Sequence, residues 1–329
     1  MKAAVWESPG ELRIAERDDP TPGHGELVVE VAACGLCGTD LHIADGEFPP
    51  VPYPIVPGHE FAGTVVAVGP SVEGWREGDR VAVDPSLYCG HCEYCRIGRD
   101  NLCANWGGIG VTADGAFAQY VSAPAANAYA LPDAVGDRAA ALVEPLSCAV
   151  HGMHRLQLQP GERALVVGAG TMGLLLQQLL VRGGAGQVTT VDANPRKLAL
   201  AERLGAGAVA TDVREVGGFD VAVDATGAVP AIEGAFDALR RGGRLLVFGV
   251  AHGDARASLS PYRIYNEEIT VLGSMAVLNS FGPALELMET GAIDAGAMLT
   301  HDFALDGFAD ALEHVRGGEG VKTQVLPGA

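Results

Sequence analysis

The 329-residue chain is short of positive charge: 22 Lys and Arg stand against 41 Asp and Glu, a formal net charge of −19 at pH 7. Such a field repels phosphate backbones and anionic lipid, which argues against nucleic acid and membrane surfaces as partners. Long hydrophobic runs are missing too. The most membrane-like stretch, Gly173 to Val181, is broken by Gln177 and Gln178 and falls well below the ~20 apolar residues of a transmembrane span. No apolar leader develops after Met1 and Lys2, because Glu7, Ser8 and Pro9 interrupt it, and a cytoplasmic location is expected. Repeats and low-complexity segments are absent, the 45 glycines being scattered through turns without a period. Nor is this the composition of a disordered chain, since 48% of residues are hydrophobic and 19% charged.

The length suits two domains of roughly 100 to 200 residues each. From Lys2 to about Leu131, β-type runs such as Leu27 to Val31 and Phe61 to Val66 alternate with Gly and Pro clusters, which predicts an all-β, barrel-like domain. From Arg163 to Ser274 apolar strands alternate with helical stretches, the pattern of βαβ units on a parallel sheet. Strands are expected at Ala164–Val167, Val188–Val191, Ala208–Ala210, Val221–Asp224, Leu245–Phe248 and Ile269–Leu272, six that suit a dinucleotide fold. Helices at Pro283–Glu289 and near Phe308–Val315, then a strand around Gln324–Leu326, return the chain to the first domain. The expected boundaries are 1–148, 149–276 and 277–329.

Thiols in a reducing compartment more often bind metal or do chemistry than pair as disulfides. Of the seven cysteines, Cys89, Cys92, Cys95 and Cys103 lie in two Cys-x-x-Cys steps followed by a short loop. Four such thiolates can converge on one ion at about 2.3 Å and close the tetrahedron that structural zinc prefers, with an iron centre as the alternative metal and four reduced thiols as the plain reading. A second constellation is dispersed: Cys37, Asp40 and His42; then His59 and Glu60; then Glu144. A catalytic zinc takes three protein ligands and keeps one position open, and Cys37, His59 and one glutamate would supply them. Taken singly, each has a structural reading as a buried thiol or a surface pair. Cys34 and Cys148 are expected to be buried structural thiols.

A third pattern is the apolar run Ala164 to Val167 entering Gly168-Ala-Gly170-Thr171-Met172-Gly173 and then a helix. The glycines allow a tight turn and the close approach of backbone to a pyrophosphate, whose charge rests on the helix N-terminus. Asp192 follows 24 residues after Gly168, where a carboxylate reaches a ribose 2′-hydroxyl and repels a 2′-phosphate, so NAD is favoured over NADP. Lys197 on the following helix is expected to touch the adenosine or lie in solvent, with phosphate binding as the opposing reading.

With these pieces in this order, the whole chain resembles the zinc-dependent medium-chain alcohol dehydrogenases. Cys34-Gly-Leu-Cys37-Gly-Thr39-Asp40-Leu-His42 is similar to that family's first catalytic-zinc motif and Pro57-Gly-His59-Glu60-Phe-Ala-Gly63 to its second. Ala141-Leu-Val-Glu144-Pro145-Leu-Ser147 resembles the polyol branch, which includes sorbitol dehydrogenases. The resemblance implies a GroES-like β-barrel catalytic domain plus a doubly wound Rossmann domain, one catalytic and one structural zinc per chain, NAD, and a homo-oligomer, tetramer before dimer. It implies that Cys37, His59 and Glu60 ligate zinc, that Glu144 binds it or its water, and that Asp40 orients His59. Thr39 would start a proton relay toward His42. The implied reaction turns a secondary alcohol of a polyol, cyclitol or aminocyclitol-like substrate into a ketone. Where sorbitol dehydrogenases present an Arg-Tyr pair, this chain has Ala276-Val277, which puts sorbitol itself in doubt. Competing readings are a zinc-free quinone or enoyl reductase on the same fold, and a non-catalytic nucleotide-binding protein.

Overall fold

A computed structural model describes residues 1–47 and 51–328. The chain divides into two compact units, the first made of Met1–Pro145, Val277–Thr290 and Met298–Ala329, the second of Leu146–Ala276 and Gly291–Ala297. The sequence reading differs in two places: it ends the first segment at 148, and it assigns the short piece Gly291–Ala297 to the returning tail. That piece is tied to the second unit by the Asp294 amide, which donates to Gln178 Oε1 at 2.8 Å, and by Arg182, which donates to the Gly291 carbonyl. Among the described residues no helix is long and apolar enough to cross a membrane.

The first unit is built around the strand Glu26–Gly35, whose apolar positions are nearly all buried. One edge of it pairs antiparallel with Glu60–Val68; along the other edge, Tyr120–Pro124 covers its first half and Lys322–Leu326 its end. Gly35 therefore lies between Glu60 on one neighbour and Gln324 on the other. The expected all-β domain has a parallel component: Lys322–Leu326 pairs in parallel with Leu299–Ala304, the helix Phe308–Arg316 making the crossover. Phe61, Phe117 and Phe308 fill the core, the rings of Phe117 and Phe308 lying 4.7 Å apart.

The second unit holds a six-stranded parallel sheet in the order Ala208–Ala210, Gln187–Val191, Arg163–Val167, Phe219–Asp224, Leu239–Val247, Thr270–Gly273. All six expected strands are present. The fifth starts six residues earlier than Leu245, because Leu239 already pairs with Phe219 before a bulge, and it ends at Val247 rather than Phe248. The middle strands are buried on both faces, Arg163–Val167 after its first residue and Phe219–Asp224 throughout, as a sheet covered by helices requires. Chain order reverses between Arg163–Val167 and Phe219–Asp224, the switch point at which such sheets receive ligands.

Candidate metal centres and dinucleotide turn

Cys37 is the N-cap of the helix Gly38–Asp45. The third residue of that helix, Asp40, is fully buried and turns back so that its Oδ2 accepts the Cys37 amide at 2.9 Å. Its other oxygen, Oδ1, lies 3.6 Å from His59 Nδ1. One carboxylate thus fixes the backbone under the thiol and faces Nδ1 of the imidazole. Burial opposes a charged His59, but Asp40 and the neighbouring Cys37 outweigh it and raise the ring well above its usual range.

Glu60, one residue on, opens the strand Glu60–Val68 and is 1% exposed. The ligand atoms of Cys37, His59 and Glu60 all lie within 4.8 Å of one another. A thiol, an imidazole and a carboxylate from two segments, the last two buried and Cys37 partly exposed, form a donor set that suits zinc. Asp40 Oδ1 and His59 Nδ1 are buried without a hydrogen bond, an arrangement that a cation on the other ring nitrogen would tighten. Glu144, near the start of the helix Val143–Leu156, is buried but does not belong to this three-donor group. The Thr39 hydroxyl lies 3.8 Å from Cys37 Sγ. His42 is partly exposed, its Nδ1 3.0 Å from Glu47 Oε2.

Sequence reasoning missed Lys322. It is 2% exposed, ion-pairs with Glu60 Oε2 and donates to the Leu36 carbonyl at 2.8 Å. Burial works against its charge, yet Glu60 and then Cys37 keep the ammonium protonated, above the usual lysine range. The pair needs the space at Gly35, where any Cβ would run into both Glu60 Oε2 and Lys322 Cε. A lysine opening the otherwise buried strand Lys-Thr-Gln-Val-Leu was the available signal.

The four-cysteine lobe is also assembled. Sγ–Sγ separations are 3.5 Å for Cys92–Cys95 and Cys89–Cys103, and 3.9 Å for Cys92–Cys103. Sulfurs at ~2.3 Å from a tetrahedral ion would stand about 3.8 Å apart, so the spacing fits zinc and not disulfides. Backbone amides point at the sulfurs, Cys92 to Cys89 at 3.4 Å and Asn105 to Cys103 at 3.3 Å. With the amides of His91 and Cys92 against it, the Cys89 thiol is lowered to about 6.

In the second unit the paired residues Val167 and Val191 lead directly to Gly168 and Asp192. Gly168 has φ 101°, a left-handed turn that favours glycine, and a Cβ on Gly173 would strike the Gly168 carbonyl. Gly170 caps the helix Thr171–Arg182, and a Cβ there would meet open space, which leaves room for a pyrophosphate at the helix N-terminus. Thr171 and Met172 form the first turn of that helix. Asp192 Oδ2 accepts the Ala169 amide at 2.7 Å and its Oδ1 the Asn194 amide at 2.8 Å, so the carboxylate is locked beside the turn. Lys197 sits, partly exposed, in the first turn of the helix Pro195–Arg203.

Family models agree with this geometry. Residues 23–133 match the alcohol dehydrogenase GroES-like domain and residues 171–290 the zinc-binding dehydrogenase domain. The chain belongs to the zinc-binding alcohol dehydrogenase family. D-arabinitol dehydrogenase 1 of Uromyces fabae is 36% identical over 341 residues, 99% of this chain and 97% of that protein. Among solved structures, a zinc-binding dehydrogenase from Sinorhizobium meliloti 1021 bound to NADP has a TM-score of 0.96 at 34% identity, with 99% of each chain covered. An alcohol dehydrogenase from E. coli CFT073 complexed with NADH has a TM-score of 0.93 at 31% identity, again over 99% of each. The two units of this dehydrogenase accordingly have the GroES-like and Rossmann-type folds.

Proposed function

We propose that the protein is a zinc-dependent dehydrogenase that oxidises a secondary hydroxyl of a polyol, cyclitol or aminocyclitol-like alcohol to the ketone with NAD. The observation that carries this reading is the convergence of Cys37, His59 and Glu60, their ligand atoms within 4.8 Å of one another, in a chain of this family. Those three would hold the catalytic zinc, with Glu144 as the alternate carboxylate; Cys89, Cys92, Cys95 and Cys103 would close a second, structural one. When bound, zinc supplies Lewis acidity to an alcohol oxygen and NAD supplies the hydride acceptor.

The chain's own residues do the rest. Asp40 holds the Cys37 backbone and faces His59, so two of the donors are aligned by one side chain. Lys322 engages Glu60 Oε2, so the ion pair would hold this carboxylate in place beside the other two donors. Thr39, beside Cys37, would take the alcohol proton, and His42, partly exposed and backed by Glu47, would deliver it to water. In the second unit the turn Gly168 to Gly173 would bind the pyrophosphate, and Asp192 would accept from the ribose hydroxyls; Lys197 would lie by the adenosine.

Support for a polyol comes from the kinship with D-arabinitol dehydrogenase and from the Ala141 to Ser147 segment. Ala276 and Val277 offer neither charge nor ring, so recognition of the hydroxyls falls to other residues than an Arg-Tyr pair. The Asp192 carboxylate favours NAD, while relatives have been solved with either nucleotide. A homo-oligomer is the matching assembly: Tyr88, Tyr94 and Ile97 are exposed on the cysteine lobe, and Tyr262, Tyr265 and Val271 by the edge strand Thr270–Gly273. Exposed apolar side chains on each unit support a tetramer before a dimer. The deciding experiment measures metal per chain and NADH formation over a panel of pentitols, hexitols, cyclitols and amino alcohols. Two zinc per chain with metal-dependent oxidation of one class supports the reading; metal-independent turnover of quinones or enones overturns it.

A further inference from the structure

The formal charge of −19 is divided very unevenly between the two units. Ten Lys and Arg stand against twenty-eight Asp and Glu in the first, a balance of −18; twelve stand against thirteen in the second, a balance of −1. The unit with the glycine turn, which would receive an anionic dinucleotide, is almost neutral. The unit with the three-donor centre carries nearly all the negative charge. Metal loading does not relieve it, because five thiolates outweigh two divalent ions by one charge.

Nor does the first unit keep a spare cation at its centre. Seven of its ten Lys and Arg are in ion pairs with Asp or Glu, Lys322 on Glu60 among them. The other three are Arg13 in the strand Glu11–Glu16 and Arg96 and Arg99 in the cysteine lobe. The segments that build the centre, 34–47 and 58–63, contain no Lys or Arg at all. They do contain Asp45, which pairs with Arg316, and Glu47, both exposed at the end of the helix that Cys37 caps.

We infer that this field sets the charge class of the substrate: the dehydrogenase acts on neutral and cationic alcohols and rejects phosphorylated or carboxylated ones. A phosphate or carboxylate nearing the centre meets the first unit's negative potential, and the segments 34–47 and 58–63 offer it no ammonium or guanidinium. An ammonium on the alcohol meets attraction. The inference rests on the polyol reading above and narrows it.

The test uses three alcohols with the same secondary hydroxyls: a neutral pentitol, its 1-amino-1-deoxy derivative and its 5-phosphate. With zinc-loaded enzyme and saturating NAD, kcat/KM is followed from ~10 mM to ~300 mM NaCl, a range over which the screening length contracts from about 30 Å to several ångströms. The aminopentitol should lose about threefold, the phosphate should gain at least as much, and the neutral compound should stay within about 1.5-fold. At low salt the phosphate should be more than about tenfold poorer than the neutral pentitol. A phosphate used as well as the neutral compound at low salt, or three equal salt responses, overturns the inference.

A second measurement needs no turnover. Trp6, Trp75 and Trp106 are the protein's three tryptophans and all lie in the first unit, so their fluorescence samples its field. Caesium should quench them better than iodide, relative to free N-acetyltryptophanamide, and high salt should erase the difference. Equal quenching alongside active pentitol oxidation overturns this inference alone. Unequal quenching with no oxidation of any pentitol overturns the polyol reading and the substrate class with it.

Discussion

Lys322 and Glu60, each the first residue of its strand, form a buried ion pair in which both side chains are 2% or less exposed. The ammonium has a second acceptor in the Leu36 carbonyl, so the charge is both paired and hydrogen-bonded. Removing one partner from such a pair leaves the other charge uncompensated.

Lys322→Met should therefore cost the metal-free protein about 3–5 kcal/mol, the usual penalty for an orphaned buried charge. Added zinc should restore much of it, since a divalent ion then compensates Glu60. Urea unfolding with and without chelator reads both numbers; a variant as stable as the parent in chelator would show that the pair is not balanced as described.

Cys37→Ser should remove one zinc per chain while far-UV and near-UV circular dichroism stay unchanged. Oxidation should fall about a thousandfold or more, the rate equivalent of several kcal/mol of lost charge stabilisation. Metal analysis against tryptophan absorbance gives the stoichiometry. Retention of two ions in the variant would remove Cys37 from the centre.

Cys92→Ser should behave in the opposite way, lowering the unfolding temperature by several degrees and releasing the other zinc, because structural metal binding is folding energy. The same lobe sets an acid limit. Cys89 titrates near 6 in the metal-free fold against an ordinary 9.0. A depressed thiol contributes fully above its unfolded value and loses that contribution as pH falls through its folded one. Zinc release from this lobe, followed with a colorimetric chelator, should accelerate below pH ~6. A release rate independent of pH from 8 to 5 would contradict the thiolate cluster.

Asp192→Ala should lower the ratio of kcat/KM for NAD over NADP by about tenfold or more, about 1.4 kcal/mol lost to one hydrogen-bonded carboxylate. Asp192→Asn keeps an acceptor for the Ala169 and Asn194 amides, and so separates loss of charge from collapse of the turn. Equal use of both nucleotides by the parent enzyme would end the argument for Asp192 as selector.

What could be read from the chain was local. The parallel strands announced themselves as apolar runs of fixed length, the cysteine lobe by thiols three apart, and the glycine turn by a strand that feeds it. Cys37 and Asp40 sit within one helical turn, and His59 and Glu60 are adjacent, so each motif carried half of the three-donor centre. What stayed hidden depends on pairings across hundreds of residues. Lys322 reaches Leu36 only because the final strand docks beside Glu26–Gly35, and nothing in its own neighbourhood marks that partner. Gly35 is silent for the same reason, since its missing side chain matters only once Glu60 and Lys322 flank it. The parallel partner strand Leu299–Ala304 carries exposed polar residues at its centre and gave no alternating pattern.

The late position of Lys322 has a bearing on how the molecule matures. During synthesis Cys37, His59 and Glu60 leave the ribosome early, while the cation that neutralises Glu60 follows only with the last strand. Until then Glu60 has no buried cation of the chain's own beside it, and a captured ion would take that part. The pocket can thus first be complete only after Lys322 has been made and its strand has docked, and truncation just ahead of Lys322 would strand it in its unfinished form.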